Sequence, residues 1–253
     1  MPRMYNPVIE VPCPLHADES LSHAVSARLQ ADPVTTDLGS RIERILTSCT
    51  AAADAKGIYK LYNPAICTLP PAYTEPAIKL VGTMAVLHGR TTYEKLDKAK
   101  HCALLAATLG IDEAALRADI VHDEADETVF QACLETMLER CGDIVGNEIT
   151  RTAMSRDLYT DDRLSLGDDG FPAGQLSDIL FYIKGEDKLG LTIIGEGAEA
   201  TVEPKWTIVG LIALLDPSKG KKRSCALCRY REFCNIRAIG MTCHGRKGTF
   251  KDE

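Results

Sequence analysis

The chain has 253 residues, a formal net charge of −7 and 45% hydrophobic residues, which suffices for one large domain or one domain with an appendage. No stretch approaches the roughly 20 apolar residues of a membrane span, and the N-terminus lacks the basic and apolar regions of a signal peptide. Ten cysteines without an export signal favour a reducing compartment, so we expect a cytoplasmic protein with no membrane partner.

Hydrophobic periodicity predicts the elements of the first half of the chain. Asp18 or Ser20 is expected to cap a short helix, and a second helix is predicted from Thr35 or Thr36 to Gly57. Beyond it we predict strands at 58–66 and 78–87, a short helix at 91–98, a buried strand at 102–107 that stops at Gly110, and a helix at 111–121.

The clearest helix extends from about Glu127 to Ile149, where apolar residues recur on one face at helical spacing. Cys133 and Cys141 lie on this face and Cys49 lies on the apolar face of the second helix, which predicts that all three pack in the core. The remaining pattern predicts a Gly- and Asp-rich loop at 163–171, a helix opened by Pro172, strands at 188–194 and 206–215, and a linker at 216–220.

The strongest chemical signal lies near the C-terminus, where Cys225, Cys228, Cys234 and Cys243 fall within nineteen residues. The C-x2-C pair places two thiolates on one tight turn, and the other two complete a four-coordinate site for an iron–sulfur cluster, such as 4Fe-4S, or for zinc. The spacing does not distinguish these occupants, and His244 is an alternative ligand. Free buried thiols or a disulfide pair are the structural alternative.

The linker divides the sequence into a body, residues 1–216, and a cysteine-rich metal-binding tail, residues 217–253. The tail has ten Lys and Arg residues against three acids, a formal charge of +7. Because the net charge of the whole chain is −7, the body carries −14. Such a basic segment is one pattern of nucleic-acid binding. The tail has few aromatic residues for base stacking, however, and its charge can offset that of bound thiolates. We therefore expect no nucleic-acid partner.

Four segments in order along the body resemble a known family, the reactivation domain of cobalamin-dependent methionine synthase and its free-standing bacterial relatives. They are LDKAKHCALLAATLG at 96–110, VFQACLETMLERCGDIV at 129–145, RLSLGDDGFPAGQLSDILFYI at 163–183 and EPKWTIVGLIAL at 203–214. The resemblance covers roughly residues 18–215 and implies an α+β fold with a long curved antiparallel sheet flanked by helices. Free-standing relatives also tend to carry a cysteine-containing tail.

The resemblance also implies an activity. Members of the family bind S-adenosylmethionine and dock on a corrinoid-binding domain. When the bound cobalamin has been oxidised to the inactive Co(II) state, one electron reduces it to Co(I), and the methyl group of S-adenosylmethionine then passes to cobalt. Methyl transfer consumes Co(I) and so draws the unfavourable reduction forward.

Four residues match the family's cofactor-binding positions. Glu139, within an acidic row with Glu135 and Asp143, matches the helix glutamate that contacts the amino group of S-adenosylmethionine. Arg163 matches the loop arginine whose guanidinium can grip the methionine carboxylate. Gly167 matches the loop glycine, and Lys205 matches the lysine of the last strand.

This chain also departs from the family pattern. The loop proline and tyrosine of Arg-x-x-Pro-Gly-Tyr are Leu166 and Asp168 here, and the serines of the last motif are Trp206 and Ile208. The Leu-Thr-Glu-Ser motif keeps Leu191 and Thr192 but continues with Ile193 and Ile194, so Glu196 or Glu199 would have to supply the carboxylate.

The sequence supports two hypotheses of function. One is a corrinoid-protein activator that reduces Co(II), methylates it from S-adenosylmethionine, or does both, with the four-cysteine iron–sulfur centre as electron donor. The other is a non-catalytic scaffold that binds a corrinoid protein or another partner and carries a structural zinc site. The altered motifs favour the second hypothesis, and the low-potential chemistry of corrinoids favours an iron–sulfur cluster.

Overall fold

The computed structural model describes residues 6–30, 36–67, 77–168 and 170–216 of the chain. The helices are α1 (Glu19–Arg28), α2 (Thr36–Ala52), α3 (Arg90–Leu96), α4 (Glu113–Ile120), α5 (Glu124–Met154), α6 (Leu176–Ile183) and α7 (Gly185–Leu189). The strands are β1 (Ile9–Pro12), β2 (Lys56–Tyr62), β3 (Pro64–Cys67), β4 (Ala77–Leu80), β5 (Val86–His88), β6 (Ala99–Thr108), β7 (Tyr159–Thr160), β8 (Leu164–Ser165), β9 (Thr192–Ile194), β10 (Thr201–Glu203) and β11 (Thr207–Leu215).

The main sheet is a curled antiparallel half-barrel with strand order β1-β2-β6-β11-β7, and β8 pairs with β11. One face is covered by α1, α2, α4 and α5, and the other by α3, α6, α7 and a small antiparallel sheet of β3, β4 and β5. Mixed helices and an antiparallel sheet confirm the predicted α+β class.

Strand β6 lies at the centre of the sheet, between β2 and β11. Its residues from Cys102 to Ala107 are completely buried and alternate between the two hydrophobic layers. A strand that is covered on both faces needs apolar residues at every position, which accounts for the continuous apolar run in the sequence.

Helix α5 packs on β2, β6, β7 and β11. Asp123 caps its N-terminus by accepting a hydrogen bond from the backbone N–H of Asp126. Cys133 and Cys141 on α5 and Cys49 on α2 are fully buried, which confirms that these three cysteines are packing residues.

A buried carboxylate joins α5 to α2. Asp126 is 2% exposed and accepts hydrogen bonds from Arg41 at 2.8 Å, Arg44 at 2.7 Å and the backbone N–H of His122 at 3.2 Å. Burial by itself raises the pKa of Asp126, but these donors outweigh it and hold the pKa below its usual value. The carboxylate therefore stays ionised inside the helix interface.

Three sequence predictions of strands are wrong in part. The predicted strand at 78–87 is interrupted by a turn at 81–84, and its two ends form the antiparallel pair β4 and β5. The predicted strand at 58–66 is interrupted at Asn63, where the chain leaves the main sheet and β3 pairs with β4 instead. The predicted strand at 188–194 begins as helix α7, which ends where Gly190 adopts a left-handed conformation, and only 192–194 are extended. At these places tertiary contacts override short apolar patterns, which by themselves do not determine where an element ends.

Helix α2 ends at Ala52, before the predicted stop at Gly57, which lies in β2. The remaining predicted elements are found close to their expected bounds, with the cap of α1 at Asp18. Among the described residues, no helix combines the length and the apolar character that crossing a bilayer requires.

Replacing Gly57 with Ala is expected to destabilise the protein by about 1–3 kcal/mol. The new Cβ would lie 2.1 Å from Cγ2 of Val145, a stiff side chain on α5 that cannot withdraw. Urea unfolding measures the change. Gly146→Ala is the matched control, because its Cβ would come no nearer than 3.7 Å to Ile212 and alanine favours the helix by up to about 1 kcal/mol. Equal unfolding midpoints for the two variants would contradict this packing.

Candidate functional site

Arg163 lies against helix α5 just before β8, and a glycine makes room for it. A Cβ at Gly142 would be 2.3 Å from Nη1 of Arg163, so only glycine lets the guanidinium lie on the helix backbone. Asp143 follows on α5, with its carboxylate 4.0 Å from the guanidinium, and the Arg163 side chain is 21% exposed. Gly142 therefore leaves room for the planar guanidinium of Arg163 where α5 meets β8. A partly exposed guanidinium is suited to bind an anionic ligand.

Glu139 lies one helical turn before Gly142 on the same helix. Its carboxylate forms a 2.6 Å ion pair with Arg28 of α1, which also contacts Glu135 at 2.9 Å. The hydrogen bond to Glu139 raises the pKa of Arg28 above its ordinary value. The predicted acidic row is therefore bridged by an arginine at one end, and a ligand ammonium group would have to compete with Arg28 for Glu139.

The loop that contains Gly167 is a compact turn. Gly167 has a φ of +96°, which favours glycine, and its N–H donates to the carbonyl of Phe171. The carboxylate of Asp168 accepts the backbone N–H of Ser165 at 2.8 Å, and Phe171 is completely buried. Asp168 thus closes the turn at the position where the family has tyrosine.

The other departures from the family pattern also have packing or pairing roles. The backbone N–H of Leu166 donates to the carbonyl of Val209 at 2.8 Å, a bond that the family's proline could not make. Trp206 is 8% exposed and Ile208 approaches Gly142, so both belong to the apolar layer beneath α5. Leu166, Trp206 and Ile208 therefore each have a structural role, in strand pairing or in the apolar layer.

Lys205 lies apart from the other three predicted residues. Its ammonium pairs with Glu113 at 3.2 Å and lies 5.0 Å from the ring centroid of Trp206, whose Nε1–H also donates to Glu113. Lys205 precedes β11, and β8 pairs with that strand at Gly210 and Leu211, three residues or about 10 Å beyond its first residue, Thr207. The structure therefore groups Glu139, Arg163 and Gly167 around α5 and β8 and assigns Lys205 to the α4 end.

The carboxylate of Glu113 organises that second cluster. Burial raises its pKa, but hydrogen bonds from Arg117, Trp206 and Lys205 outweigh this effect, and the pKa is lower than its ordinary value. Glu113 is therefore ionised and holds Lys205 in place, which leaves this lysine as a structural partner of α4.

Sequence reasoning missed Gly142, the residue that seats Arg163. An isolated glycine inside a strongly helical pattern indicates a close approach, and this signal was available in the sequence. Next to it, the Cys141 thiol has a raised pKa because of its hydrogen bond with Cys13 and its burial, while Arg163 acts in the opposite direction. Cys141 is therefore a neutral packing residue beneath the site.

The predicted metal ligands Cys225, Cys228, Cys234 and Cys243 lie outside the described residues. Within the described ranges, no group of three or more His, Cys, Asp and Glu side chains is arranged to hold a metal ion.

Comparisons with known proteins give no assignment. No protein-family model matches the chain, and no curated protein matches it.

Replacing Asp168 with Ala is expected to destabilise the protein by about 0.5–1.5 kcal/mol and to speed hydrogen exchange at the amide of Ser165. The reason is that this amide loses the carboxylate that accepts its hydrogen bond at 2.8 Å. Exchange followed by mass spectrometry measures the effect. Asp168→Asn keeps a side-chain oxygen as acceptor and should preserve most of the protection. Equal exchange in the Ala variant and the unaltered protein would show that the turn does not depend on this side chain.

Proposed function

We propose that this protein activates a corrinoid protein. Its body, 1–216, would dock the corrinoid-binding partner, and its cysteine-rich tail, 217–253, would hold an iron–sulfur cluster. The reaction begins with a Co(II) corrinoid on the partner. One electron converts it to Co(I), and the methyl group of S-adenosylmethionine then forms a bond to cobalt and leaves S-adenosylhomocysteine.

The observation that carries the proposal is the spatial grouping of the four family-like segments. They are separated by up to a hundred residues in the chain, yet they form β6, α5, the β8 loop with α6, and β11. Strands β6 and β11 are neighbours, α5 packs on both, and β8 pairs with β11. Segments that resemble one family in sequence order thus form one contiguous unit, as a shared fold requires. That this α+β structure has the specific fold of the resembled family is part of the proposal.

Arg163 is the group best suited to S-adenosylmethionine. Its guanidinium is held by Gly142, is partly exposed, and has a carboxylate neighbour 4.0 Å away, so it retains the capacity to bind a methionine carboxylate. Glu139 lies within one turn and would receive the ligand's ammonium group after release from Arg28. Gly167 keeps open space above the adjacent turn, since no atom of the described residues lies within 4 Å of the position of a Cβ.

A specific observation favours a second function, the scaffold with a structural zinc site. Leu166, Asp168 and Trp206 occupy positions of the family's ligand-contacting motifs, and each is engaged in strand pairing, turn closure or the core. A body that has lost the ability to bind S-adenosylmethionine would still be able to dock a corrinoid partner. Ligand binding and metal content separate the two functions.

Arg163→Ala is expected to weaken S-adenosylmethionine binding at least about tenfold, because it removes a hydrogen-bonded charge partner of the ligand carboxylate. Calorimetric titration of the full chain, with and without a Co(II) corrinoid protein, measures the affinity. Gly142→Ala should also weaken binding, because its Cβ would displace the guanidinium without removing it.

Arg151→Ala is the matched control for this titration. Arg151 is on the same helix, is 78% exposed and pairs with Glu148, so its removal should leave the affinity unchanged. Equal affinities of the Arg163→Ala variant and the unaltered protein would discard Arg163 as a ligand. Absence of binding by the unaltered protein under both conditions would favour the scaffold.

Anaerobic purification and reconstitution are expected to yield iron and sulfide in the full chain and an electron paramagnetic resonance signal after reduction with titanium(III) citrate. Cys228→Ser should lose the cluster, while thermal unfolding of the body should be unchanged because the ligand lies in the tail. Cys67→Ser is the control, because Cys67 is a free cysteine on β3. Colourless protein with zinc and no iron would exclude the electron-transfer role.

A further inference from the structure

Three large apolar side chains are exposed on the face of the sheet opposite α5. Met84 is 84% exposed, Phe181 is 75% exposed and Ile193 is 38% exposed. Tyr182 connects the first two, because its hydroxyl accepts the backbone N–H of Met84 at 2.8 Å and its ring meets that of Phe181 edge-to-face at 5.1 Å. We call Met84, Phe181 and Ile193 the Phe181 patch.

The patch borders a surface cavity of about 630 Å³ at the turn between α6 and α7. Phe181 and Ile193 line this cavity together with Leu180 and Leu191, which are almost completely buried. An exposed aromatic side chain beside an apolar-floored cavity is typical of a surface that another chain segment covers.

The chain around the patch is acidic. Residues 176–203 contain six Asp and Glu residues against two Lys, a formal charge of −4. The cavity lining itself is balanced in charge, with Glu186 and Asp187 beside Lys60 and Lys184, so the negative charge lies in the segment around the cavity. The tail, 217–253, carries a formal +7. The two segments therefore attract each other, and this attraction orients docking over the Debye length of about 8–10 Å.

The described chain also stops near the patch. Tyr62 of β2 is level with Cys102 and Ala213 across the sheet, two strands or about 10 Å from β11, and its hydroxyl donates to the carbonyl of Tyr182. Strand β11 ends only two residues after Ala213, at Leu215. A segment of ten extended residues spans about 33 Å, so the tail reaches the patch with most of its length to spare.

We propose that the Phe181 patch is the docking site of the tail, residues 217–253 of the same chain. The tail contains Tyr230, Phe233, Ile236 and Ile239, which can cover Phe181 and fill the cavity, and a segment of this length has little core of its own. Docking then joins the four-cysteine segment to the body at a defined place. The inference does not depend on the proposed function, because it requires neither a corrinoid partner nor a particular metal.

Site-specific photo-crosslinking of the full chain tests this proposal. With p-benzoylphenylalanine in place of Phe181, irradiation should join position 181 to a peptide from 217–253 of the same chain. A mixture of unlabelled and ¹⁵N-labelled protein distinguishes bonds within one chain from bonds between copies. The same photo-reactive residue at Met154, which is 43% exposed at the end of α5, should give no product with the tail. Products between copies, products confined to the body, or no product would each overturn the proposal.

Limited trypsin digestion provides an independent readout, because the tail contains ten Lys and Arg residues. Phe181→Ser should speed cleavage within 217–253 by about tenfold, since the tail loses an aromatic anchor, and Met154→Ser should leave the rate unchanged. Phe181 is exposed, so the body should unfold at the same urea concentration in both variants. Equal tail cleavage in the two variants would contradict docking at the patch.

Discussion

The close contact of helix α5 with the central strands determines most of this structure. The helix reaches the sheet because Gly57 has no Cβ opposite Val145, and Asp126 holds its first turn to α2 through two arginines. From this position α5 buries its cysteines and presents Gly142 to Arg163. The hydrophobic layer beneath the helix and the candidate site at its edge therefore depend on the same packing.

Existing ion pairs limit what the predicted site residues can bind. Arg163 has a glycine seat and a nearby carboxylate, and Glu139 is already paired with Arg28. Lys205 is held at a different end of β11 by Glu113. A ligand with both a carboxylate and an ammonium group would use Arg163 directly but would have to displace an existing ion pair at Glu139. Exposed ion pairs contribute little free energy, so such an exchange has a low cost.

The two faces of the sheet differ in chemistry, and the difference suits a division of roles. The α5 face has charged residues at its border, whereas the opposite face has exposed apolar side chains around Phe181 next to an acidic segment. The basic tail complements the second face in both charge and apolar content. The candidate site at Arg163 and the proposed docking site of the tail would then lie on different faces of the sheet.

The sequence by itself determined the buried strand at 102–107, the long helix and the packing of Cys49, Cys133 and Cys141, because hydrophobic periodicity reports burial directly. The α+β class was predicted from the resemblance to a known family, not from periodicity. Only the tertiary structure decided where the strand ends at Asn63, why residues 188 and 189 are helical, and which predicted site residues meet. Hydrogen-bond partners and ion pairs such as Arg28 with Glu139, or Lys205 with Glu113, join residues distant in the chain. Local patterns carry no information about these pairs, since their free energy arises only after the sheet and α5 have packed together.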